Sequence, residues 1–187
     1  MSPKFWEYFL HIEADLAACS RYVEFSTSNY ATFSNEFAKI IVVASAEIDA
    51  ILRELSSLIA PANKADNIND YFPIITGKFP DLIKHRVEIT RNAISTEPWS
   101  AWSTGKSPDW WGQGYNKIKH DRTNNFEKAT LFNAIQAVGA LFLTVLYYHE
   151  HVTGKAVTVD MNRGTQLFVP REDPTHKGGV FWYYGVK

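Results

Sequence analysis

The sequence predicts a mainly α-helical fold: a bundle of four to five helices over residues 1–153, closed by a small β-hairpin and an aromatic tail over 154–187. Three observations carry this expectation. Long stretches repeat apolar residues at helical spacing. Residues 131–148, LFNAIQAVGALFLTVLYY, run 18 positions without a charge. After Gly154 the pattern changes to alternation around Asn162-Arg163-Gly164, a hairpin signal. A chain of 187 residues, 45% hydrophobic, suits one domain with a real core.

The elements follow in order. Phe5, Phe9, Ile12, Leu16 and Cys19 mark a first helix over residues 5–25. STSNYATFS (26–34) is a turn-rich break. Ser34 suits the N-cap of a second helix that ends near Ala60, before Pro61. Its apolar stripe is Phe37, Ile40, Ile41, Ala44, Ile48, Ile51 and Leu55. A polar connection, NKADNIND, leads to a short apolar piece around Tyr71–Ile75. Residues 77–106 are irregular: HRVEIT reads as a short strand or a helix start, and Pro98, Trp99 and Trp102 as a packed loop. Ser107-Pro108 resembles a cap followed by proline at the first helical position, which predicts a short helix over 108–121. Asn125 is a candidate cap for a last long helix over 126–151, which Gly154 ends. The uncharged 131–148 run is near the length needed to span a bilayer. Asn133, Gln136 and Thr144 interrupt it, which favours a buried central helix and no membrane.

Several function classes are disfavoured. The formal net charge is −1, so any contact with nucleic acid needs a local patch. A single cysteine, Cys19, permits no internal disulfide or multi-cysteine zinc site and reads as a small buried hydrophobe. Polar residues in the N-terminal stretch argue against a signal peptide and for the cytosol. No glycine-rich phosphate loop or zinc spacing is present, so neither cofactor nor metal is expected. His149 and His151, two apart, face different ways on a helix. His85, Arg86, Glu88 and Arg91 read as charged surface.

The stretch that concentrates chemistry is YNKIKHDR, 115–122. At 100° per residue, Asp109, Gln113, Asn116, Lys117 and His120 share one polar arc, while Trp111, Tyr115, Ile118 and Arg122 lie opposite. A histidine at a helix C-terminus beside an amide and cations suits metal-free phosphodiester cleavage. His120 would move the proton, Asn116 position the phosphate, and Lys119 and Arg122 stabilise charge. The candidate binding residues are Gln113 and Lys117 on that arc, Tyr115 on the side opposite, and Glu47 of the second helix. The alternative is a solvated helix face. Glu47 borders the second helix's apolar arc, where a carboxylate either finds a partner in Arg122, Lys119 or His120 or stands at the surface edge of the helix. Asp49 points away from it and reads as solvated.

AEIDAIL (46–52), PWSAW (98–102), WWGQGYNKIKHDR (110–122) and FEKATLFNAIQAVGALF (126–142) together resemble the HEPN superfamily over about residues 35–150. The resemblance is to bacterial helical members with a Trp-Trp…Tyr-Asn-x-x-Lys-His-x-Arg block. It implies a helical bundle, often a homodimer, and in many members a metal-independent ribonuclease of toxin–antitoxin or phage-defence systems. Others bind RNA, a nucleotide or a protein such as a cognate antitoxin without cleaving. The family's Arg-x(4–6)-His motif places its histidine on His120 and its polar companion on Asn116. Its arginine position falls on Tyr115, which cannot hold a phosphate as a guanidinium does. A third reading is an interaction scaffold with Trp99, Trp102 and the FWYY tail as exposed hot spots.

Overall fold

The computed structural model describes residues 4–154 and 164–171. They form five α-helices and a three-stranded sheet. The helices are α1 (Trp6–Cys19), α2 (Asn35–Ile59), α3 (Ile68–Lys78), α4 (Lys117–Asn125) and α5 (Leu131–Thr153). The strands are β1 (Arg86–Ile89), β2 (Ile94–Thr96) and β3 (Phe168–Arg171), in the order β2-β1-β3, all antiparallel.

α2 and α5 are the axis of the bundle. Ser34 caps α2 as expected, its hydroxyl accepting the Phe37 N–H at 3.1 Å. Every residue of the α2 stripe is buried. α5 is buried almost all round. It is long and apolar enough to cross a membrane, yet most of it is enclosed by the other elements. Its cap differs from the expected Asn125. Phe126–Lys128 form a separate 3-10 turn, and the Thr130 hydroxyl accepts the Asn133 N–H at 3.1 Å. Asn125 instead donates to the Asp121 carbonyl at 2.8 Å. Gly154, at φ 63°, closes the helix in the left-handed conformation.

Residues 77–106 resolve into strands and 3-10 turns. HRVEIT supplies β1, and Val87 and Ile89 bury one face of it while Glu88 lies on the other. The apolar piece around Tyr71 becomes α3, capped by Asn67, whose side chain accepts the Asn69 and Asp70 N–H groups. Of the hairpin expected around Asn162-Arg163-Gly164, the first arm and most of the turn lie outside the described residues, as does the aromatic tail. The second arm is β3, which pairs with β1 so that Ile89 faces Phe168. Phe168 is buried and stacks on Phe142 of α5. α1 ends at Cys19, earlier than residue 25. Cys19 is buried, as expected.

Candidate functional site

The segment before the YNKIKHDR cluster is a seven-residue π-helix, Trp110–Asn116, a winding that is rare and recurs at functional sites. It starts from Pro108, whose carbonyl accepts the Trp111 and Gly112 N–H groups at 3.0 and 2.8 Å. Ser107 does not cap it: its hydroxyl is buried without a hydrogen-bond partner. The wider turn buries Trp110, Trp111, Gly114 and Tyr115 together. A Cβ on Gly114 would lie 3.4 Å from the Asn133 amide, so the glycine lets α5 approach closely.

An aromatic chain holds this segment. Trp102, Trp99, Trp110, Trp111 and Tyr115 contact one another in succession, with ring centroids 4.2, 5.2, 5.6 and 5.0 Å apart. The indoles of Trp99 and Trp110 donate to the carbonyls of Ala140 and Pro98. Trp99 and Trp102 are therefore core, and the hot-spot role given to them as a scaffold is overturned.

The polar arc survives the π winding. Asp109, Gln113, Lys117 and His120 are exposed and Asn116 is half-buried, while Tyr115 and Ile118 are buried beneath them. Arg122 departs from the arc reading. At Asp121 the helix breaks (φ −152°, ψ 72°). The Asp121 carboxylate then accepts the Asn124 N–H and side-chain amide. The break turns Arg122 outward, where it donates to the Asn35 side chain and lies 5.3 Å from the Phe126 ring. Lys119 donates to the Tyr115 hydroxyl at 3.1 Å, with its ammonium 5.1 Å from the same ring. The side chains of His120 and Lys117 make no hydrogen bond or ion pair among the described residues.

Glu47 takes none of the three partners offered for it: Arg122 and Lys119 bond elsewhere and His120 stands exposed, which leaves Glu47 as the surface-edge carboxylate. Glu47 is half-buried and unpaired among the described residues, and burial pushes its carboxyl above the ordinary range. Asp49, expected in solvent, is half-buried. It accepts Arg53 Nη2 at 2.7 Å and the Tyr71 hydroxyl at 3.1 Å. Burial raises that phenol to about 12.

Three further polar contacts join partners that lie far apart in the chain, so the sequence does not pair them. His85, read as surface, meets the buried Tyr147 hydroxyl at 2.5 Å. Tyr148 donates to Glu54, which also pairs with Lys4. Glu13 of α1 is fully buried and accepts the N–H groups of Gln166, Leu167 and Phe168 at 2.8, 2.9 and 3.0 Å. Its position on the apolar stripe beside Ile12 and Leu16 was the only available hint. Among the described residues no cluster of histidine, cysteine and carboxylate side chains has the makings of a metal site.

No family model, curated protein or solved structure matches this chain.

Proposed function

We propose that the chain is a HEPN-like module that binds single-stranded RNA along the outer face of residues 113–122 without cleaving it. One observation carries this reading. Lys119 and Arg122, the cations a cleavage mechanism would direct at a developing charge, are committed to Tyr115, Asn35 and Phe126. Stabilising a transition state needs donors aimed at the reacting atoms in a site that excludes water. Here Lys117 and His120 stand exposed on an open helix face. Phosphate contacts that only position a strand need no such enclosure. Lys117, Lys119 and Arg122 against one acid, Asp121, supply a local positive patch on a chain of near-neutral charge.

The uncommitted imidazole of His120 favours a second reading. A homodimer that brings two such faces together would enclose both histidines and make a metal-independent ribonuclease of toxin or phage-defence type. Either reading places the protein in the cytosol, with RNA or a cognate antitoxin as partner. Anisotropy of labelled single-stranded RNA in EDTA tests the first. Wild-type binding is expected to weaken with salt by a log–log slope of about −0.7 per phosphate contact and to fall in Lys117→Ala and His120→Ala. Unchanged binding in both variants would overturn it.

A further inference from the structure

Away from the 113–122 face, one concavity is built from three parts of the chain that are distant in sequence. It lies between the end of α1, the β1–β2 turn and the segment entering β3, and encloses about 670 Å³, a volume typical of small-molecule sites. Alanines of α1 form an apolar floor, and Arg21 and Arg91 line the walls. Neither guanidinium has a hydrogen bond or ion pair with the described residues. Two guanidinium groups on one concavity without carboxylate partners repel each other unless an anion joins them. Glu24 is the single acid among the described residues of the lining.

Three features hold these walls, the first two at an energetic cost. Glu13 is a buried carboxylate, an expensive group to desolvate. Its three backbone hydrogen bonds fix residues 166–168, and Gln166 and Leu167 line the concavity. Ala93 holds a left-handed φ of 51° immediately after Arg91 and Asn92, a conformation that costs a non-glycine residue about 1–2 kcal/mol. Asn92 donates to the Phe25 carbonyl at 3.2 Å, which ties the turn to the loop after α1. Strain of this kind gathers where the surroundings over-determine a binding geometry.

We infer that this concavity binds a phosphate monoester, with the phosphate held by Arg21 and Arg91 and the organic body lying on the alanine floor. A monoester carries close to two charges at neutral pH and offers several acceptor oxygens, which matches two guanidinium forks. Glu24 and Gln166 are placed to meet hydroxyls on the organic body. The site shares no residue with the RNA-binding face, so either assignment can fail alone.

Phenyl phosphate titrated into the full chain, followed by the arginine Nε–H resonances in NMR, tests the proposal. Saturable shifts at Arg21 and Arg91 are expected. The double variant Arg21→Ala/Arg91→Ala, both exposed positions, should keep its melting temperature and lose affinity by at least about tenfold. Lys117→Ala should bind as wild type does. Shifts that fail to saturate, affinity that survives the double variant, or loss in Lys117→Ala would each overturn it.

Discussion

Ala93 carries the clearest backbone cost among single residues. It closes the four-residue turn between Ile89 and Ile94 at φ 51°, where a Cβ crowds the following carbonyl. Glycine removes that clash but gives the unfolded chain more freedom, a loss of about 0.5–1 kcal/mol. The clash is the larger effect, so Ala93→Gly should stabilise the protein by up to about 1 kcal/mol in chemical denaturation; destabilisation would mean the turn is relaxed. Glu47 gives a pH-dependent case. Burial raises its folded-state carboxyl above the unfolded value of 4.5. Its charged form is therefore tolerated less well in the fold. That penalty is absent below the unfolded value, grows as pH rises from there to the folded one, and is complete above it. Glu47→Gln should melt above wild type at about pH 8, with the difference closing near pH 4. A constant difference across that range would point to a hydrogen bond of the amide instead.

Among the elements, α5 shows packing overriding propensity. Gly139 sits mid-helix, where alanine ordinarily gains about 1 kcal/mol. A Cβ there would come within 2.8 Å of Val87 Cγ2 and 3.4 Å of Pro98. Val87 is fully buried in β1 and stiff about its branched Cβ, so the sheet has to shift. Gly139→Ala should lower stability by about 1–3 kcal/mol despite the better propensity, and thermal melts will give the sign directly. Elements with local signals were legible: the α2 stripe with Ser34, and the stop at Gly154. The cap of α5 was not, because Asn125 and Thr130 both have capping chemistry, and what separates the turn from the helix is long-range: Phe126 packs on Phe33, and the backbone of residues 32–34 bonds to that of 129–131. The π winding was invisible too, since a 100° projection assumes the α period.

At the scale of the whole molecule, the helical class and the central place of α5 could be read from periodicity and from the uncharged run. The polar face of 113–122 could be read as well, with Tyr115 and Ile118 beneath it. Its electrostatic state could not. The pairing of Arg122 with Asn35 depends on the break at Asp121 and on how α2 lies beside α4, while that of Lys119 with Tyr115 is local, four residues apart, and turns on the winding of the segment that carries both. The Glu13 bonds to 166–168 depend on where β3 joins the sheet. These pairings make testable the proposal that the face binds RNA and lacks the arrangement to cut it. The most direct measurement incubates labelled single-stranded RNA with wild type and His120→Ala in EDTA, both checked for equal folding. The bound fraction and the intact length are then read from the same samples. The account predicts RNA that remains full length with both proteins and binds less to the variant. Cleavage by wild type that disappears in His120→Ala would contradict it and make the exposed imidazole a reaction centre.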